Sequence, residues 1–322
     1  MSALEQKQQK IDPYISRVSD TPFMTERQDP VIYGEQVALG EDKGPLNLEH
    51  LEAYNDNGFL FFESLFSEDE VSWLLGEVER LKTLKELEDS DYVIREPESN
   101  EIRSFFYVHQ FDAVFKALSQ DERIVNIAEQ ILGSQVYIHQ SRVNLKPGFR
   151  GKEFYWHSDF ETWHTEDGMP RMRALSCSIT LTDNNEFNGP LMVIPGSHKL
   201  YISCVGETPE NHHLDSLRKQ EYGVPDDKIM TELVEQNGIV APKGKAGSVI
   251  FFECNLMHGS NSNITPYTRT NAFFVYNSAE NTLVDPYSGM QPRPEHIATR
   301  KDFAPIQPSR LQNALKDYRD KK

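Results

Sequence analysis

A change of character at Gly133 constrains this chain more than any other feature. Before it, apolar residues recur at helical spacing. Beyond it, from Val136-Tyr137-Ile138 almost to the C-terminus, short β-branched and aromatic runs alternate with Pro, Gly and Asn. Helices first and strands after them predict an α+β protein, mainly β, whose N-terminal helices buttress a β-sandwich or barrel.

The segment 1–45, punctuated by Pro13, Pro22 and Pro30, sustains no period and reads as an extended arm, leaving 46–322 as a single domain. Leu48, Leu51 and Tyr54 predict a short helix closing at Gly58, followed by strand-like Phe59-Leu60-Phe61-Phe62. Ser67 and Glu70 have capping-box spacing. Val71, Leu74, Leu75, Val78, Leu81 and Leu84 then form one apolar helical face. The charged stretch from Glu86 to Arg103 reads as a loop. Helical spacing returns with Phe111, Val114, Phe115 and Leu118, and again with Ile124, Ile127, Ala128 and Ile131, where Gly133 provides the C-cap. Strands are predicted over Gln135–Lys146, Phe154–Thr162, Ala174–Thr182, Leu191–Ile194, Gly247–Glu253 and Arg269–Asn277. A polar insertion near 201–240 has the length of a lid or a disordered insert.

The 322 residues carry 33 Lys and Arg against 50 Asp and Glu, a formal charge of -17, so the average surface repels nucleic acid and anionic membranes. An acidic surface of this kind suits a soluble protein and also a salty cytoplasm. No run of about eighteen apolar residues offers a membrane span, and the N-terminus has no signal-like apolar core. Cys177, Cys204 and Cys254 fit neither a disulfide framework nor a CxxC zinc site. The expected compartment is the reducing cytoplasm.

Chemistry concentrates in Phe154-Tyr155-Trp156-His157-Ser158-Asp159-Phe160-Glu161-Thr162-Trp163-His164. On a regular strand His157 and Asp159 project to the same side and can share a metal ion. An HxD pair alone proves little, because a half-buried strand with a hydrogen-bonded histidine looks the same. His258, at the end of an apolar run and before a polar turn, is the candidate third ligand. Two imidazoles and one carboxylate on one face of an octahedral ion leave the other face open, as non-haem Fe(II) oxygenases require. Ser260 and Arg269 flank the turn Asn263-Ile264-Thr265-Pro266, so a hairpin would return the guanidinium to the metal, ready to bind a dicarboxylate cosubstrate in bidentate fashion. His198, in Gly196-Ser197-His198-Lys199, is the rival ligand and reads as structural. His212 and His213 fall in the polar insertion, while the parity of His139 and His164 turns them from the site. Zinc is the rival metal, but the chain has no HExxH helix.

The run from Gln140 to Ala174, QSRVNLKPGFRGKEFYWHSDFETWHTEDGMPRMRA, resembles the signature of ectoine hydroxylases, within the phytanoyl-CoA dioxygenase superfamily of Fe(II)- and 2-oxoglutarate-dependent enzymes. The blocks Asn188 to His198 and Cys254 to Arg269 are similar to the same family. The resemblance implies a double-stranded β-helix (jelly-roll, cupin-like) with Fe(II) on His157, Asp159 and His258. It implies 2-oxoglutarate at Arg269 and Ser260, with Asn144 and Phe154 lining its pocket, and dioxygen as the other cosubstrate. Ectoine, a zwitterionic cyclic amidine, would be the substrate of a homodimeric osmotic-stress enzyme. Strand parity adds that Gln140, Arg142, Asn144 and Lys146 share one face, as do Arg269, Asn271 and Phe273. Trp163, Phe252 and Phe273 could form an aromatic box for the amidinium. Gln140 could hydrogen-bond the ring, and Arg293 could take the substrate carboxylate. Core packing explains the three aromatics equally well. Two other readings stay open: a related dioxygenase acting on a small polar metabolite such as a proline derivative, and a non-catalytic metal- or ligand-binding jelly-roll.

Overall fold

The computed structural model describes residues 12–18, 21–34, 44–96, 99–205 and 224–314. The chain runs through β1 (Met24–Glu26), α1 (Leu48–Asn57), β2 (Phe59–Phe62), α2 (Glu68–Lys82), β3 (Val93–Arg95), β4 (Ile102–Phe106), α3 (Val108–Phe111), α4 (Ala113–Ser119) and α5 (Glu122–Leu132). There follow β5 (Val136–Lys146), β6 (Phe154–His157), α6 (Asp159–Thr162), β7 (Ala174–Thr180), β8 (Leu191–Val193) and β9 (Leu200–Ile202). The remaining elements are α7 (Asp227–Asn237), β10 (Val249–Glu253), β11 (His258–Ser260) and β12 (Arg269–Ser278).

Antiparallel pairing assembles a seven-stranded sheet in the order β2-β10-β7-β12-β5-β4-β3 and a three-stranded sheet in the order β6-β11-β8. This mainly-β arrangement with helices on one side is the double-stranded β-helix, or jelly-roll. Period-2 patterning dictates which face goes where. On β12, Ala272, Phe274 and Tyr276 join the main core with α1, α2, α4 and α5, while Phe273 joins Leu191, Val193, Ile250 and Phe252 between the sheets. On the helical side Leu74, Val78, Ile124, Val125 and Ile131 are fully buried, each stabilising the fold by about 1.5–3 kcal/mol relative to exposure.

Helix ends follow local chemistry. Ser67 and Glu70 form a reciprocal capping box at α2, and Gly133 closes α5 at φ 62°, a left-handed conformation open to glycine. Gly58 closes α1 at φ 80°, and a Cβ there would lie 2.5 Å from His198 Nδ1.

Two predictions fail. The stretch from Glu86 to Arg103 is not all loop: β3 and the start of β4 lie in it and extend the large sheet to its edge. Such an edge is short and charged, which blunts pairing with other chains and also hides the strand pattern. The strand predicted over Phe154–Thr162 ends at His157, because Ser158 accepts from Glu161 N as the N-cap of α6. A π-helical turn, Trp163–Asp167, follows it. In the segment ahead of α1, β1 pairs with β9 and Tyr14 is buried. Of the polar insertion, α7 is described, while 206–223, with His212 and His213, lie outside the described residues. Among the described residues, no helix is long and apolar enough to cross a membrane.

Candidate metal centre and cosubstrate pocket

His157 ends β6 and His258 begins β11, and the antiparallel register makes the two histidines direct partners. Their rings lie 4.2 Å apart between centroids. Asp159 comes from the first turn of α6 rather than from the strand, so one strand face does not account for the pair. Its carboxylate lies 3.7 Å from His157 Nε2 and 3.8 Å from His258 Nε2. All three offer ligand atoms within 4.8 Å of one another, as a shared ion demands.

The histidines are prepared alike. His157 Nδ1 lies 2.7 Å from Tyr155 O and His258 Nδ1 2.9 Å from Leu256 O. A carbonyl only accepts, so each Nδ1 carries the proton and each Nε2 lone pair faces Asp159. Burial, reinforced by His258, pushes the His157 pKa down to about 3, which keeps its lone pair available. Ser176, on β7, donates to Asp159 Oδ2 at 3.3 Å. Sequence reasoning missed Ser176, although Ser176, Ser178 and Thr180 stand at alternate positions between the apolar residues of a buried strand.

A cavity of about 680 Å³, including its open mouth, adjoins the triad. It is lined on one side by Asn144, Lys146, Phe154, Ser260 and Arg269. Arg269 is buried and donates from Nη1 to Gly189 O, while its Nε has no partner. Burial and neighbouring Arg103 lower its pKa to about 10. Lys146, buried beside Arg269 and Arg103, is held well below the ordinary lysine value and donates from Nζ to Ser260 Oγ at 2.8 Å. Among the described residues, no carboxylate pairs with either cation; Arg103 does pair with Glu96, at 2.8 Å. Unpaired buried cations are costly, so this end of the cavity is built for an anion. Ser260 and Arg269 reach it from strands of different sheets and not from a two-stranded hairpin. Asn263, buried in the connecting turn, donates to Lys146 O and Tyr267 O and fixes the crossing. Asn144 accepts from Ser104 at 3.1 Å, and the Phe154 ring stands edge-on to His157, 5.0 Å away.

At the other side, Arg142 makes one hydrogen bond, a long one of 3.4 Å to Gln140, and its Nε is unpartnered. Its guanidinium stacks 4.9 Å over Phe273. Phe252 lies 4.9 Å from the His258 ring. Asn271 donates to Ser178 and leaves its buried Oδ1 unsatisfied. Of the expected substrate residues only Phe273 lines the cavity; Gln140, Trp163, Phe252, Asn271 and Arg293 sit outside its wall. Gln140 donates to Ile297 O at 2.8 Å. Trp163 lies in the π-helical turn against His139, in a separate apolar cluster from Phe252 and Phe273, so the three-ring box is not assembled. Arg293 gives Nε and Nη2 to Asp167, at 2.8 and 2.5 Å, and also pairs with Glu166 at 3.7 Å. The β5–β12 register shifts between Val275 and Tyr276, bypassing His139, and this bulge defeats simple parity there. His139 packs on Trp163 and faces Asp167 at 3.3 Å. His164 lies against Asp12 and Met169 O, and His198 against Asn55 O.

A jelly-roll with an open two-histidine, one-carboxylate face defines the class. Residues 54–271 match the phytanoyl-CoA dioxygenase (PhyH) family, and the chain belongs to it. It is 57% identical over 297 residues to the ectoine dioxygenase of Bordetella bronchiseptica, covering 92% of this chain and 95% of that one. It is also similar to crystal structures of EctD from S. alaskensis. With 2-oxoglutarate and 5-hydroxyectoine the TM-score is 0.84, at 46% identity over 93% of this chain and 98% of the other. With bound Fe the score is 0.82, at the same identity and coverage.

Proposed function

We propose that this chain hydroxylates ectoine to 5-hydroxyectoine, using Fe(II), 2-oxoglutarate and dioxygen and releasing succinate and carbon dioxide. One observation carries the reading: buried His157 and His258, which with half-buried Asp159 can hold one metal ion, line a cavity with Lys146 and Arg269, two cations that no described carboxylate neutralises. The likeness to ectoine dioxygenases over nearly the whole chain supports ectoine as substrate.

Iron held by the triad, together with 2-oxoglutarate, supplies the oxidising chemistry. The side chains do the binding and aiming. Arg269 and Lys146 would hold the far carboxylate of the keto acid, with Ser260 oriented by the Lys146 ammonium. Asn144 and Phe154 would wall that site. Phe273, on the cavity wall with Phe252 packed in the same cluster, would present its ring to the amidinium. Arg142, on the cavity wall with its buried Nε unpartnered, would meet the substrate carboxylate. Asn271, whose buried Oδ1 is unsatisfied, would hydrogen-bond the ring. Burial of the two histidines limits water at the ligand face, and fixed placement supplies the orientation.

Mass spectrometry of ectoine incubated with protein, Fe(II) and 2-oxoglutarate under air tests the reading. A gain of one oxygen, lost in Asp159→Ala, is expected; unchanged ectoine with active iron-loaded protein would overturn it.

A further inference from the structure

The family match begins at residue 54, yet two arginines upstream of it reach the elements that carry the metal ligands. Arg27 is almost fully buried. It donates to Glu253 Oε1 at 3.2 Å and to His198 O at 3.1 Å, and its Nε is held by Asp29 O. Glu253 is itself buried, and its other oxygen accepts from Asn255 N at 2.6 Å. The Asn255 side-chain amide is engaged at both ends: Nδ2 donates to His198 O and Leu200 O, and Oδ1 accepts from Ser158 Oγ at 3.0 Å. Ser158 is the residue between His157 and Asp159, and Asn255 opens the turn that delivers His258. A single chain of contacts therefore joins the N-terminal segment to both halves of the triad. Independently, Arg17 clamps Glu161, on the same short helix as Asp159, through Nε and Nη2 at 2.9 and 2.6 Å.

We propose that the N-terminal segment completes the metal centre, with Arg27, Glu253 and Asn255 acting as positioning residues that set Ser158 and so the spacing of His157, Asp159 and His258. This rests on reading those three residues as the iron ligands. The physical ground is that a ligand turn is only as well placed as its supports. β6 and α6 meet at Ser158, where the ladder with β11 ends at His157. Two hydrogen bonds tie this corner to the turn before His258: Phe160 N donates to Cys254 O at 2.8 Å, and the Ser158 hydroxyl donates to Asn255. The second is the one that reaches the N-terminal segment, because Arg27 holds the Glu253 carboxylate to which Asn255 is tied. Losing outer supports of this kind typically weakens metal affinity by about 10- to 100-fold.

The test is anaerobic titration of the metal-free full-length protein with Fe(II), followed by tryptophan fluorescence, beside thermal unfolding of the same samples. Arg27→Met is expected to raise the Fe(II) dissociation constant roughly tenfold while the protein still unfolds cooperatively. Arg27→Lys, which keeps a cation opposite Glu253, should recover most of that loss. Ser158→Ala should weaken Fe(II) as well, and the double variant should lose less than the product of the single effects, because both cut one chain. Wild-type Fe(II) affinity in a less heat-stable Arg27→Met protein would make the contact purely structural and overturn the proposal. Should Arg27→Met not fold, Arg27→Gln, which also removes the cation, is combined with Ser158→Ala in the same cycle, and independent effects there would overturn it. Wild-type protein that takes up no Fe(II) would fail the reading of the centre itself, before any variant is compared.

Discussion

His157 and His258 stand directly across from one another in the small sheet, as Cα partners on β6 and β11. Strand register, not sequence proximity, thus creates the metal face, and Asp159 completes it from the adjoining helix turn. A ligand that binds only the folded state stabilises it by about 2.7 kcal/mol at one hundred times its dissociation constant. Anaerobic Fe(II) should therefore raise the melting temperature of the wild type and leave that of Asp159→Ala unmoved. The metal-free melting temperatures of the two should be close, since among the described residues the carboxylate has no lysine or arginine ion pair to lose. Differential scanning fluorimetry with and without Fe(II) reads both.

Arg269 and Lys146 predict a separation of the two substrates. Breaking a buried charge-assisted contact costs about 2–5 kcal/mol, which corresponds to roughly 30-fold or more in apparent affinity. Arg269→Gln and Lys146→Met should each raise the KM for 2-oxoglutarate on that scale and alter the KM for ectoine far less. Steady-state kinetics with each substrate varied in turn checks this. An equal effect on both would place the dicarboxylate elsewhere.

Arg142 sets function against stability. Its guanidinium faces the cavity with Nε unpartnered, and burial holds its pKa below the ordinary arginine value. Replacing it by the similarly shaped, uncharged methionine removes an uncompensated cation and should stabilise the substrate-free fold by about 1–2 kcal/mol. Turnover of ectoine should fall by roughly 30-fold or more, because a carboxylate-binding charge is gone. Chemical denaturation and product formation, measured on one preparation, test the opposition; a destabilised variant would show that the guanidinium supports the fold.

The sequence announces the features that depend on neighbours along the chain. The Ser67–Glu70 cap, Gly133 after α5, and the alternation on β12 that sends Phe274 to the helices and Phe273 inward are all local signals. The two histidines and Arg269 were also legible, because strand ends and turns mark them. What escaped depends on partners distant in sequence or on breaks in regularity. Ser158 stops a strand that its aromatic flanks suggest should continue, and the bulge beside His139 breaks a parity that no single residue betrays. β3 and the start of β4 were missed because β3 is three residues long and both lie in a stretch dense in charged residues, where no alternation is sustained long enough to read. Lys146 was visible on the correct face of β5, but its lack of a counterion emerges only when β11 and β12 close around it.

Acid should weaken the fold through two histidines held neutral away from the metal. Burial, assisted by Lys116, pushes the His109 pKa down to about 4, and His198 falls to about 4 mainly through burial. Neither ring can be protonated in place without cost. His109 Nδ1 lies 2.6 Å from Ser141 Oγ, and the His198 ring is packed under Gly58. Because the folded pKa lies below the unfolded value of about 6.5, the unfolded chain binds protons first as pH drops. Stability is thus complete above about pH 6.5, declines through the window down to about pH 4, and loses on the order of 2–3 kcal/mol per histidine across it. His109→Gln keeps a polar group near Ser141 and cannot titrate. Its urea-unfolding free energy should therefore fall less steeply than that of the wild type between pH 6.5 and 4.5. Parallel pH profiles would assign the acid sensitivity to other groups.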